Sequence, residues 1–142
     1  MPIELTIVTP EREVYSGPAE NVVLPGSEGD FGVLEKHERF LAPLRTGEVE
    51  VKIDGESHWA AISDGFAQVT GDRVTVLVDT CELAREIDVA RAEAAKSRAE
   101  RRIHEVQAGQ EEETRLHTYE AALERAVIRI QVAGRNEVRP TH

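Results

Sequence analysis

Five charged side chains in the second half of the chain have types and spacings that could do chemistry. Asp88, Arg91 and Arg98 follow one another at intervals of three and seven residues, which puts them on one side of a helix. Arg125 and Arg129 are four apart, one above the other if their segment is also helical. Arginine suits phosphate because its planar fork donates two parallel hydrogen bonds. Several arginines converging on a groove between two helices repel one another unless an anion sits among them. A plainer alternative has these arginines on solvated faces, paired with Glu93, Glu120 and Glu124, with Asp88 acting only as a helix N-cap. Spacing alone favours the plainer alternative.

No catalytic set can be read elsewhere. Gly26, Gly29 and Gly32 are spaced by three, but no GK[ST] follows and no helix offers its N-terminus, so turns are expected rather than a phosphate loop. His37-Glu38 has no second histidine at ligand spacing and is expected to be a solvated loop. Asp64-Gly65 and Asp72 are turn residues. There is no Ser/His/Asp or Cys/His arrangement, and no catalytic or metal-binding residue is assigned.

The first half of the chain is expected to be β-structure. Ile3–Thr9 alternates apolar and polar residues, the pattern of a half-buried strand. Pro10 ends it, and Gly17-Pro18 is expected to separate Val14–Ser16 from Asn21–Leu24. Gly47–Ile53 alternates cleanly, and Asp54-Gly55 is a strong two-residue hairpin turn before Ser57–Ile62. Phe66–Thr70 and Arg73–Val78 flank the Gly71-Asp72 turn. Eight to ten short strands at this spacing favour a β-sandwich or flattened barrel.

From Asp88 onward the sequence is helical. Val89 to Ala108 has no Pro or Gly, and Ala92, Ala95, Ala99, Ile103 and Val106 draw one apolar stripe. Gly109 breaks it, and Glu111-Glu112-Glu113 suits the first turn of a second helix, where the helix dipole favours carboxylates. In that helix Leu116, Tyr119, Leu123, Ala126 and Ile130 form a narrow seam. Gly134 is expected to end it, leaving residues 135–142 as a frayed tail. The two helices should pair as an antiparallel hairpin. Its alanine-rich seam buries little area, at roughly 25 cal/mol per Å², so the hairpin should open easily unless something clamps it.

Composition narrows the function. Of 142 residues, 40% are apolar and 31% charged, and the net charge is -10. Residues 1–87 hold 17 acidic and 7 basic side chains; residues 88–142 hold 10 of each. An acidic first half argues against nucleic acid as a partner. The apolar runs have strand length, so no membrane insertion is expected, and the first residues do not have the form of a signal peptide. The single cysteine, Cys81, excludes an internal disulfide and fits a reducing compartment.

In this order the pieces resemble the epsilon subunit of the bacterial F-type ATP synthase over essentially the whole length. The matching marks are Leu24-Pro25-Gly26-Ser27-Glu28-Gly29-Asp30-Phe31-Gly32-Val33-Leu34 with His37 and Leu41, then Gly65-Phe66 with Val74-Thr75-Val76-Leu77, and the Asp88/Arg91-Ala92 start of an alanine-rich helix. The resemblance implies an α+β fold, with an N-terminal ten-stranded β-sandwich over residues 1–86 and a two-helix hairpin over residues 87–142. It implies a non-catalytic rotor-stalk subunit bound to the gamma subunit and seated on the ring of c subunits through a loop matching Glu28, Gly29, Asp30 and Phe31. It places the subunit peripherally at the cytoplasmic face of the cell membrane. The hairpin would restrain ATP hydrolysis by extending toward the alpha and beta subunits.

Some members, notably from bacilli, bind ATP in the folded hairpin through an I/L-D-x-x-R-A motif. Ile87-Asp88-Val89-Ala90-Arg91-Ala92 matches it. Glu82, Arg98, Arg125 and Arg129 match the accompanying positions by residue type. The resemblance therefore reverses the preference from spacing and implies ATP as a regulatory ligand, with no catalytic cofactor and with Mg²⁺ left open. The alternative is the same rotor subunit with a purely mechanical hairpin. A free-standing β-sandwich enzyme would need a convergent catalytic set that the chain does not display.

Overall fold

The alternating segments become ten strands: β1 (Ile3–Val8), β2 (Glu13–Ala19), β3 (Asn21–Gly26), β4 (Gly29–Val33), β5 (His37–Leu44), β6 (Gly47–Ile53), β7 (Glu56–Ile62), β8 (Gly65–Gly71), β9 (Arg73–Val78) and β10 (Cys81–Leu83). Among the described residues two helices follow, α1 (Val89–Gln107) and α2 (Leu116–Glu137). The structure, a computed structural model, describes residues 3–33 and 37–137, without the side chains of 37, 38, 136 and 137. Leu34 of the family mark and the tail from Val138 lie outside the described residues.

The strands run in the order β10-β7-β6-β3-β5-β8-β9-β1-β2, with β4 added to β3. All pairs are antiparallel except β1 with β9. β3 and β5 meet only at Gly26 and Leu44, reinforced by Ser27 N–H to the Pro43 carbonyl at 3.0 Å and Arg45 N–H to that of Pro25 at 2.9 Å. This thin seam lets the sheet fold into two faces that bury each other, as expected of a sandwich. Between them lie Leu5, Ile7, Val22, Leu24, Val49, Val69, Val74 and Val76, all almost fully buried. The Asp54-Gly55 turn forms with φ of 51° and 79°, the pair of positive values a type I′ hairpin needs.

Four local expectations are corrected. Gly17-Pro18 does not separate strands but lies inside β2. β2 is the last strand of the order, and an edge strand tolerates a proline with no N–H to donate. His37-Glu38 is backbone of β5 rather than a loop. The acidic run does not form the first turn of α2: Glu113–Arg115 is a separate 3-10 turn before it. Gly134 does not end α2, which continues to Glu137, so residues 135–137 are helix and not a frayed tail.

Candidate functional site

β10 pairs with β7, setting Glu82 opposite Ala61. A 3-10 turn at Ala84–Glu86 follows, and Ile87, 8% exposed, packs with Ala61, Val132 and Ala133. This contact fixes where the helical hairpin leaves the sandwich. Asp88 is extended, with φ -82° and ψ 101°. Its Oδ1 accepts from the Arg91 N–H at 3.1 Å, and its carbonyl accepts from the Ala92 N–H at 3.0 Å. Asp88 is thus the N-cap of α1, satisfying donors that the first helical turn leaves unpaired.

Ala92, Ala99 and Val106 of the alanine stripe are buried. α1 closes with two reverse hydrogen bonds, Gly109 N–H to the Val106 carbonyl at 3.1 Å and Gln110 N–H to that of Glu105 at 2.8 Å. Gly109 supplies the positive φ of 80° that this ending requires. Arg102 braces the turn, donating from Nη1 to Glu111 at 2.9 Å and lying 5.9 Å from the centroid of the Tyr119 ring. In α2 the seam residue Ala126 is buried, but so are Val132 and Ala133, which belong to a second apolar strip. That strip faces Trp59, Ala61, Ala84 and Ile87, so α2 packs on α1 and on the sandwich together.

Apart from Asp88, the N-cap, the candidate residues fall into three groups. Ile87 and Ala92 are buried anchors. Glu82 and Arg129 hold each other: Arg129 Nε and Nη2 donate to the two carboxylate oxygens at 2.5 and 3.1 Å. Arg91, Arg98 and Arg125 are exposed, and among the described residues none of them forms an ion pair. The alternative pairing with Glu93, Glu120 and Glu124 is likewise not formed among these residues. Among the candidate residues the structure joins Glu82 to Arg129 and Asp88 to the Arg91 backbone; the three unpaired guanidinium groups are donors of a kind that suits phosphate.

The second candidate region is the β3–β4 hairpin. Gly26 pairs with Gly29 across a tip of Ser27-Glu28, and Gly29 takes φ 132°. Glu28, Gly29 and Asp30 are exposed. Asp30 pairs with Arg45 at 2.5 Å, and the Phe31 ring meets Phe40 edge-on at 6.0 Å. The tip is thus a projecting, braced turn. Among the described residues no cluster could hold a metal ion, and no helix is long and apolar enough to cross a membrane.

Sequence reasoning missed Glu48, Trp59 and Arg135. Arg135 Nε and Nη2 donate to the two oxygens of Glu48 at 3.0 and 3.1 Å, and its guanidinium lies 4.2 Å from the centroid of the Trp59 ring. The hydrogen bond and charge of Glu48, with the charge of Glu50, hold the guanidinium proton more tightly than usual, against the effect of burial. Carboxylates alternating on the outward side of β6, beside the only tryptophan, were the available sign. Expecting the helix to end at Gly134 hid their partner.

The chain as a whole has known relatives. Residues 2–84 match the family described as ATP synthase, Delta/Epsilon chain, beta-sandwich domain, and residues 85–134 match its long alpha-helix domain. An ATP synthase epsilon chain of Geobacter sp. (strain M21) is 45% identical over 94% of this chain and 94% of its own. One from Syntrophobacter fumaroxidans is 48% identical over 92% and 95%. Among solved structures, a chain of the Euglena gracilis mitochondrial ATP synthase, described as OSCP/F1/c-ring in rotational state 1, superposes with a TM-score of 0.78 at 25% identity, covering 93% of this chain and 81% of that one. The chain belongs to the ATP synthase delta/epsilon family as an epsilon chain, a non-catalytic subunit of the central stalk.

Proposed function

We propose that this subunit couples rotation of the c-ring to the catalytic head and restrains ATP hydrolysis through its hairpin, and that bound ATP stabilises the hairpin in the folded form. Asp88, Arg91, Arg98, Arg125 and Arg129, with Glu82, Ile87 and Ala92, are the proposed nucleotide site. The observation that carries this reading is the set of three exposed arginines, Arg91, Arg98 and Arg125, unpaired among the described residues. Carboxylates were available at neighbouring helical positions, yet those pairs are not formed. A triphosphate supplies the missing countercharge, and ligand bound only to the folded hairpin stabilises it by mass action. Release of ATP then lets the hairpin extend toward the alpha and beta subunits. Such a ligand shifts the balance only by its preference for the folded state.

In the same proposal the β3–β4 tip, Glu28 to Phe31, meets the c-ring, and the gamma subunit covers the sandwich. The complex would hold the chain at the cytoplasmic face of the membrane.

A second reading keeps the rotor role and gives the hairpin no nucleotide. One observation favours it: Glu82 already occupies both donors of the Arg129 fork that it meets, so a phosphate would have to displace it. Thermal melting separates the two readings. ATP at millimolar concentration is expected to raise the melting temperature of the isolated chain, and Arg91→Ala or Arg125→Ala to abolish the rise. An unchanged melting curve for the unmutated chain would remove the nucleotide site and leave the mechanical hairpin.

A further inference from the structure

We propose that Arg135, Glu48 and Trp59 form a nucleotide-independent latch that keeps α2 docked on the sandwich. Ala61 on β7 is opposite Glu82 on β10 and opposite Glu48 on β6. Glu82, Ala61 and Glu48 therefore form one row across three adjacent strands, a small residue between two carboxylates. The helix matches this row. At 3.6 residues per turn, Arg129 and Arg135 point about 120° apart around α2, with Ile128 and Val132 between them. Val132 is fully buried and packs in the cluster that contains Ala61. Each arginine reaches the glutamate on its own side through two hydrogen bonds. The helix is thus fastened to both carboxylates of the row, through arginines six residues apart.

The two fastenings are not equivalent. Glu82 and Arg129 belong to the proposed nucleotide site, so that fastening is the one a ligand would reorganise. Glu48, Trp59 and Arg135 lie outside that site. The Arg135 guanidinium is held in its plane by Glu48 and on its face by the Trp59 ring at 4.2 Å, a combination of forked ion pair and cation–π contact that lysine cannot reproduce. Between the two arginines the dock sets Ile128, Val132 and Ala133 against Trp59, Ala61, Ala84 and Ile87, with alanines that allow close approach. The two arginines add to this apolar contact and lengthen the time the helix stays down. The latch holds α2 before ATP arrives and while Arg129 is being handed to it.

This inference rests on the hairpin being mobile, so the experiment reads the two ideas separately. Amide hydrogen exchange is measured on the full chain without nucleotide, for the unmutated protein, Arg135→Gln, Glu48→Gln and the double variant, and then again with ATP. Trp59, the only tryptophan, reports docking through its emission maximum. Each single variant is expected to speed exchange of residues 126–135 about tenfold and to shift Trp59 emission to the red. Exchange in β1, β8 and β9 should not change. The double variant should be no faster than either single one, because each has already broken the same contact. Arg135→Lys should recover only part of the protection. If neither single variant alters exchange in 126–135, the latch is wrong, even if ATP still protects the helix. If ATP fails to protect the helix in the unmutated chain, the nucleotide site falls, and the nucleotide-free comparison still decides the latch.

Discussion

Cys81, 6% exposed on β10, shows how a side chain with no role in the site still shapes the molecule's response to pH. Burial pushes its thiol up from 9.0 to about 11; the charges of Glu86 and Glu82 add to this, and that of Arg12 opposes it. As pH rises the unfolded thiol ionises first, so the unfolded state gains and the folded state loses ground between the two values. The contribution is complete below pH 9 and is lost as pH passes 11, on the order of 2 kcal/mol in all. Cys81→Ala should remove that part of the slope. Urea unfolding of both proteins at pH 8 and pH 10.5 checks this: the stability difference between them should move in favour of the variant at the higher pH. At this scale the sequence was only partly legible. Asp88 could be recognised as an N-cap because capping is local, whereas the partner of Arg129 lies 47 residues away and no spacing rule reaches it.

At the scale of elements, α2 separates what local rules can decide from what they cannot. The helix start, the Gly109 ending of α1 and the Asp54-Gly55 hairpin were legible because each depends on the conformational range of one or two residues. The end of α2 was not, because it is set by what the helix lies on. Val132 and Ala133 are buried against the sandwich and Arg135 is tied to Glu48, which outweighs the weak tendency of Gly134 to stop a helix. Gly134 then remains as an interior helical glycine without a positive φ, and a Cβ built there meets nothing within 4 Å. Gly134→Ala should therefore stabilise α2 by about 0.5–1 kcal/mol, seen as a later loss of the 222 nm circular dichroism signal on heating. The same variant would be destabilising if the glycine served as the terminating residue. The proline inside β2 follows the same logic, since its acceptability depends on the strand being at an edge.

Over the whole molecule, the two outer faces of the sandwich are unlike. The face of β10, β7 and β6 is covered by the chain's own α2, whereas the face of β5, β8 and β9 carries Leu41, Phe66 and Leu77 at 64%, 51% and 46% exposure. Register makes these one patch: Phe66 lies opposite Leu77 on one side and Pro43 on the other, and the intervening Ala67 and Val76 point into the core. Apolar side chains gathered on one sheet face mark an interaction surface more often than scattered ones do. In the proposed assembly the gamma subunit is its occupant, which leaves the α2 face free to open and close without loosening the stalk. A charge placed there should act on association and hardly on folding, because exposed side chains contribute little to stability. Phe66→Asp should leave the melting temperature of the isolated chain within about 2 °C and abolish copurification with gamma. Arg135→Gln, on the opposite face, should leave copurification intact. Retention of gamma by Phe66→Asp at unchanged stoichiometry would rule this face out as the stalk contact.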